Sequence, residues 1–406
     1  MKPQFTTYQK RLFWFLSVAC FFEGYDFFAI TQLLPSLRET FELTPRQGTW
    51  LITLINLGTM LAYLLVGLAD RWGRRRVLAI TIAGYALFTF LSAFAPNAIV
   101  FGLLQMIARV FLIGEWATSM VVAAEEFPAE RRGMVIGVVS ASAGLGSIVC
   151  AGVVPLLLTT PLGWRTVYII GVVPLLLLMY ARRNLKETER FAKRAVPSQK
   201  PPLREILRGP HRRRVLELGA IWFLSYICTN NAVTFWKEFA LAERGLSHGQ
   251  IGLIMTVAAL VSMPLIFLAG RMLDAIGRKP GAAVIYTATT LGVFGAYTFH
   301  GVLPLMVCMT IGIFGVNAVL TVLNAFMTEL FPTEARGSAA AWSNNLIGRV
   351  GYCLSPLAIG QVVEQYGWAV PLRATTLFPL LALALIFLLL PETNARELEE
   401  TARVEA

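Results

Sequence analysis

The sequence predicts an all-α membrane protein: twelve transmembrane helices in two pseudo-symmetric six-helix bundles. Three observations predict it. Of the 406 residues, 56% are hydrophobic and 15% charged, a balance foreign to water-soluble domains. The apolar residues gather into runs of about 20, long enough to cross a hydrocarbon core as helices. The same punctuation also occurs twice, at an offset of 204 residues. Asp70, Gly73 and Arg74 are answered by Asp274, Gly277 and Arg278. Glu125, Phe127, Pro128, Glu130, Arg132 and Gly133 are answered by Glu329, Phe331, Pro332, Glu334, Arg336 and Gly337, and Gly163-Trp164 by Gly367-Trp368. Duplicated apolar segments point to paired bundles. Helices rather than strands are expected because the runs are continuous and lack the short alternation of a membrane barrel.

Taken in order, the first helix is expected over 12–34, behind Lys2, Lys10 and Arg11. No small-residue cleavage site succeeds it and Glu23 and Asp26 interrupt the run, so it reads as an uncleaved span. Helices two (48–69) and three (77–95) flank the Asp70–Arg74 loop. Helix four (99–124) carries Arg109, Glu115 and Trp116 and leads into Glu125. Helix five (134–158) is rich in glycine, which permits close helix approach, and helix six (165–182) opens at Gly163-Trp164. A basic linker with four prolines comes next, its Leu203–Leu207 portion suited to a short helix on an anionic leaflet. Helix seven (215–236) carries Tyr226, Asn230 and Asn231. Helices eight (250–270) and nine (281–299) flank the second charged loop, and helix ten (302–328) leads into Glu329. Helix eleven (337–362) carries Arg349 and Tyr352, and helix twelve (369–390) closes the series. The expected domains are an N-terminal bundle over 1–182, a cytoplasmic linker over 183–214 and a C-terminal bundle with its tail over 215–406.

The formal net charge is +11. Its location, rather than its size, decides what it means. Loops on one side hold 27 Lys and Arg, and loops on the other hold six, Lys237 among them; Arg109 and Arg349 lie within helices. The positive-inside rule therefore places both termini in the cytoplasm, here of a bacterial inner membrane. A basic inner face explains the charge without nucleic acid as a partner. The five cysteines fall inside apolar segments without metal spacing, and His211, His248 and His300 fall in predicted loops, so neither a metal nor another cofactor is called for. No nucleophile–base pair or phosphate loop suggests an enzyme. The expected partners are lipid, a small-molecule solute and protons, with the chain acting as a monomer.

The segment Gly67–Arg76, "GLADRWGRRR", resembles the signature loop of the major facilitator superfamily, and 270–279 is its weaker echo at the corresponding place. Gly73 permits a tight turn, and Asp70 can face a helix N-terminus and an arginine. The "E-x-F-P-x-E-x-R-G" segments offer Glu125 and Glu329 as partners for Arg74 and Arg278, with Arg132 and Arg336 starting the next helices. The resemblance implies a cytoplasmic gate built from Asp70, Gly73, Arg74, Glu125, Arg132, Asp274, Gly277, Arg278, Glu329 and Arg336. Pro391–Thr393 is similar to the sugar-porter-like branches. Glu23-Gly24-Tyr25-Asp26 is similar to the "D-G-Y/F-D" of aromatic acid:proton symporters, with Glu in place of the first Asp. Gly114-Glu115-Trp116 is similar to the metabolite:proton symporters, without their run of alternating glycines. The "G-x-x-x-G-P" pattern of drug antiporters is absent, which argues against efflux.

An ionisable side chain inside a membrane helix costs at least about 2.5–3.5 kcal/mol, so each one asks for a partner or a task. Glu23 and Asp26 are three apart and share a helix face, an arrangement suited to proton exchange. The resembled motif favours Asp26 as the main carrier, with Glu115 a further candidate; the alternative is a structural bridge to Arg109 or Arg349. Asp26 corresponds at the 204 offset to Asn230, so only one half keeps the acid. Arg349, beside Asn344 and Asn345, fits either a solute carboxylate held bidentately or a structural ion pair. Arg109 is a second cation of the same kind. Adjacent amides at Asn230 and Asn231 can hydrogen-bond a polar solute. Of the aromatics at 50, 85, 116, 222, 226, 236, 342 and 352, together with Tyr25, those singled out for a pocket are Tyr25, Trp116, Tyr226 and Tyr352. Together these features predict proton-coupled uptake of a small organic anion, such as an aromatic or sugar-derived carboxylate, by alternating access. The alternatives are a neutral-sugar porter, a proton-coupled efflux transporter or a transporter-like sensor.

Overall fold

A computed structural model describes residues 5–66, 72–181 and 206–394, which are helices and short connections with no strand among them. The first six helices are α1 (Thr7–Thr40), α2 (Pro45–Val66), α3 (Arg74–Ser92), α4 (Ala98–Glu126), α5 (Ala129–Leu157) and α6 (Trp164–Ala181). The next four are α7 (Arg212–Thr234), α8 (His248–Ile276), α9 (Arg278–Ala296) and α10 (Val302–Glu329). Helix α11 is composite: α-helical over Thr333–Ala340, π-helical over Ala341–Gly348 and α-helical again over Arg349–Tyr366. Helix α12 (Leu377–Leu389) comes after a short helix, Ala369–Ala374. By length and composition α1, α3, α4, α5, α8, α10 and α11, and the stretch Ala369–Leu389 that ends in α12, can each cross a membrane. Helix α7 falls short because it opens on Arg212–Arg214 and carries Glu217, Asn230 and Asn231.

The described residues divide into two compact units. The first holds residues up to Leu43 and from Leu54 through α6; the second holds Thr44–Thr53 and everything from Ile206 onward. Within each unit the same helices pair. In the first, α1 packs on α5 and α6, and α3 on α4 and α6; in the second, α7 packs on α11 and α12, and α9 on α10 and α12. The duplication seen in the punctuation therefore extends to packing. Equivalent helices also start alike. Thr44 with Gln47 begins α2 and Ser247 with Gln250 begins α8, each pair exchanging side-chain and backbone hydrogen bonds at 2.9–3.3 Å.

Small residues set the closest helix approaches, as expected where lipid replaces water and no hydrophobic drive brings helices together. A Cβ at Gly24 would collide with the Ala143 carbonyl and one at Gly146 with the Phe21 carbonyl, so α1 and α5 touch backbone to backbone. In the second unit Gly348 lies against the Trp222 side chain and Gly351 against the Phe223 carbonyl, fixing α11 on α7. Gly137 and Gly144 face open space and need another explanation. All five cysteines are buried and unbridged, as small packing residues. Large apolar side chains lie exposed on the outside, Leu388 at 79% and Leu303 at 70%, as a lipid-facing surface requires.

Two sequence expectations need correction. Lys237 does not lie in an exposed outer loop. A short helix, Trp236–Ala242, continues directly from α7 and buries Lys237 to 1% exposure together with Glu238. His248 is the first residue of α8 rather than a loop residue. The linker lies outside the described residues through position 205.

Candidate functional site

At one end of each unit the repeated charges pair. Arg74 donates to Glu125 at 3.0 Å, joining the start of α3 to the end of α4. Arg278 meets Glu329 at 2.7 Å and Asp274 at 2.6 Å, joining α8, α9 and α10. Gly73 and Gly277 open α3 and α9 at φ of 91° and 102° with extended ψ, a region that only glycine occupies without strain. Arg336 stands near the start of α11 as expected but donates to the Phe331 carbonyl at 3.4 Å. Asp70 and the Arg132 side chain lie outside the described residues.

The second pair is elaborated by the segment after α12. The Thr393 hydroxyl donates to Glu329 at 2.5 Å. Glu392 accepts the backbone N–H groups of Arg278 and Lys279, each at 2.8 Å, and so caps α9 where the helix dipole favours an anion. Burial alone would raise the Glu392 carboxyl. The backbone donors of Lys279, Arg278, Asn394 and Thr393 outweigh burial and hold it below its ordinary range.

In the first unit, groups from α3, α4 and α6 gather around Asp26 of α1. The Tyr85 hydroxyl of α3 donates to its carboxylate, and Arg109 of α4 lies close enough for its charge to act on it. No ion pair joins Asp26 to Arg109 among the described residues. The Arg109 guanidinium instead sits 4.4 Å over the Phe27 ring, a cation–π contact, and its Nη1 finds no hydrogen-bond partner in the protein. Tyr168 of α6 lies within electrostatic range of both charges and packs edge-on against Phe101 at 5.7 Å and Trp164 at 6.2 Å. One turn back from Asp26 lies buried Glu23. Glu115 is buried and already satisfied: Thr81 of α3 donates to it at 2.6 Å and Ser119 at 3.2 Å. It ties α4 to α3. Trp116 is nearly half exposed and, among the described residues, shares no hydrogen bond or ring contact with this group.

In the second unit the amides and aromatics of α7 meet α11 around the π-helical stretch. Tyr226 donates to Asn344 at 2.8 Å, Asn230 to the Tyr352 carbonyl at 3.0 Å, and Asn231 to Ser355 at 2.8 Å. The rings of Tyr226 and Tyr352 meet edge to face at 5.5 Å. A π-helical stretch inserts an extra residue into the helix and so re-aims the side chains beyond it, and such stretches gather at functional sites. Here Arg349 is the residue re-aimed. Its guanidinium meets Asn345, at a long 3.4 Å, and the Tyr352 ring at 5.9 Å.

The sequence-predicted residues thus fall into two groups, one per unit: Asp26, Glu23, Tyr25 and Arg109 in the first, and Arg349, Asn230, Asn231, Tyr226 and Tyr352 in the second. Sequence reasoning misses Tyr168 and notes Tyr85 without singling it out. A signal for both exists. At the 204 offset Tyr168 corresponds to Leu372 and Tyr85 to Thr289, so each breaks the repeat just as Asp26 does.

Residues 16–239 and 218–405 match the family model described as the Major Facilitator Superfamily. The chain is similar over most of its length to the niacin transporter NiaP of Acinetobacter baylyi, 25% identical, covering 97% of this chain and 96% of the relative. It is similar also to the gallate transporter of Pseudomonas putida, 26% identical, covering 92% and 91%. Among solved structures the xylose transporter XylE from E. coli shares the fold, with a TM-score of 0.79 at 17% identity, covering 96% of this chain and 98% of that one.

Proposed function

Since the chain belongs to the Major Facilitator Superfamily, we propose that this integral membrane protein is a proton-coupled symporter taking up a small organic anion, an aromatic carboxylate by preference. The observation that carries this reading is Arg349. It sits within α11 with no acidic partner among the described residues, held by an amide and a ring face. A guanidinium left in that state is costly unless an anion completes it, and a carboxylate matches its planar fork. The named substrates of the two relatives above, niacin and gallate, are both ring carboxylates.

Asp26 is the proton carrier in this reading. Protonation of Asp26, which lies beside Tyr85 and within range of Arg109, removes one negative charge from the membrane interior before an anion arrives. Glu23 and Glu115 are secondary candidates, with Glu115 the weaker because its hydroxyl partners already satisfy it. The 27-to-six charge count supports placing the Arg74–Glu125 and Arg278–Glu329 pairs on the cytoplasmic side, as parts of a gate that opens and closes in alternating access.

Purified protein in liposomes tests this. Nicotinate or gallate should accumulate when the outside is made acidic, and Asp26→Asn should abolish that accumulation while sparing exchange between the two sides. Accumulation of D-xylose but of neither acid, or an Asp26→Asn carrier that still responds to the gradient, overturns the proposal.

A further inference from the structure

We infer that Asn344 is a specificity-determining residue: its side-chain NH2 donates to a second acceptor on the solute, so the site prefers ring carboxylates that carry one. This rests on the transport reading above and deepens it, since Arg349 still holds the acid group.

The π-helical stretch brings the parts together. In an α-helix the Arg349 N–H would bond four residues back, to the Asn345 carbonyl. Here it bonds five back, to the Asn344 carbonyl. Asn344 therefore stands one turn before Arg349, with Asn345 beside it. The Asn345 side-chain oxygen accepts from Arg349 Nε at 3.4 Å, and the Asn344 oxygen accepts from the Tyr226 hydroxyl at 2.8 Å. Both amide oxygens are thus engaged. An amide carries one acceptor and one NH2 donor group, and among the described residues neither NH2 has a hydrogen-bond partner. Together with the guanidinium, this turn offers a solute donors alone. Asn344, Asn345 and Arg349 all keep some exposure, as a site open to a solute requires.

The Asn344 donor is also held still. Tyr226 fixes its oxygen, and the Tyr226 ring packs on Trp222 at 5.2 Å and edge to face on Tyr352 at 5.5 Å. Trp222 in turn lies against Gly348, where a Cβ would come within 2.7 Å of the Trp222 Cβ. A donor that is already ordered loses less entropy on binding its ligand. One turn separates Asn344 from Arg349 along the helix, about 5.4 Å, comparable with the reach from a ring carboxylate to an acceptor across the same ring. A plain aromatic acid would satisfy Arg349 and leave the Asn344 NH2 against an apolar ring edge. A ring nitrogen, phenolic oxygen or keto oxygen would take that donor. The first unit has no equivalent. At the 204 offset the counterparts of Tyr226, Asn344, Asn345 and Arg349 are Phe22, Ser140, Ala141 and Leu145, and α5 is α-helical throughout.

The test compares binding of nicotinate and gallate with that of benzoate, using the whole chain in nanodiscs. Benzoate keeps the ring and the carboxylate without a further acceptor. The wild type should bind at least one of the other two about fivefold more tightly than benzoate, the worth of one neutral hydrogen bond. Asn344→Ala should erase most of that margin, chiefly by weakening the acid that carries the acceptor. Tyr226→Phe removes only the hydroxyl that orients the amide; it should narrow the margin and carries the test should Asn344→Ala fail to fold. A wild type without the margin overturns the subsite, as does a margin that survives the substitution, including through equal weakening of all three acids. The transport reading then stands if Arg349→Ala abolishes binding of all three. Wild-type protein that binds none of them overturns both.

Discussion

Arg278 and Glu329 meet at 2.7 Å across 51 residues of chain, and Arg74 and Glu125 meet at 3.0 Å across the same separation one repeat earlier. The second pair carries further contacts. Arg278 also takes Asp274, and Glu329 also takes Thr393. Duplicated contacts of this kind close each unit on itself, so any role in gating acts through helix ends that are rigid within a unit.

The Arg278–Glu329 side chains are 14% and 16% exposed, between the exposed pairs worth about 0.2–1 kcal/mol and buried ones whose breakage costs about 3–5 kcal/mol. Alanine at either position should therefore destabilise the protein by about 1–3 kcal/mol. A double-mutant cycle followed by unfolding in detergent should return a coupling near 1 kcal/mol or more. Strictly additive single effects would show that the pair contributes no interaction energy.

Glu392 predicts a pH dependence with a definite sign. Its folded carboxyl lies below the ordinary value of 4.5, so its contribution is present above that value and is lost as pH falls through the folded one. The unfolding temperature of the wild type should drop as acid is added below about pH 4.5. Glu392→Gln should be less stable at neutral pH, and its deficit should shrink in acid. A deficit that stays constant from neutral to acid pH refutes the assignment.

The repeat made the charged ends legible, because Asp274, Arg278 and Glu329 had visible counterparts and a membrane charge is too costly to be incidental. Asp26, Arg109 and Arg349 were legible for the same energetic reason. The tyrosines were not. A tyrosine in an apolar helix packs as readily as it donates, and only the meeting of α3, α4 and α6 shows where the Tyr85 and Tyr168 hydroxyls lie. The π-helical stretch was hidden because Ala341–Gly348 is too short for its period to stand out. Lys237 was misplaced because one cation after a run of apolar residues reads as a loop, whereas a further helical turn covers it.

The glycines of α5 should divide sharply. Gly146→Ala sets a methyl against the Phe21 backbone, which cannot swing away as a side chain can, and overpacking costs about 1–3 kcal/mol or more. Gly144→Ala meets open space and, by lowering the entropy of the unfolded chain, should be neutral or gain up to about 1 kcal/mol. Melting temperatures of the two variants in one detergent decide it. A loss of equal size at Gly144 would point to a partner for that face.

Arg349 separates charge from shape. Arg349→Ala removes both and should abolish measurable nicotinate binding. Arg349→Lys keeps a cation on a flexible stem without the bidentate fork, and should weaken nicotinate by roughly tenfold while leaving its uncharged methyl ester alone. Asn345 and the Tyr352 ring hold the guanidinium in place, so Asn345→Ala should weaken binding less than Arg349→Lys does, by loosening the group rather than removing it. Were lysine to bind nicotinate as well as arginine, the site would be reading charge alone. The π-helical turn that aims Arg349 would then need a different purpose.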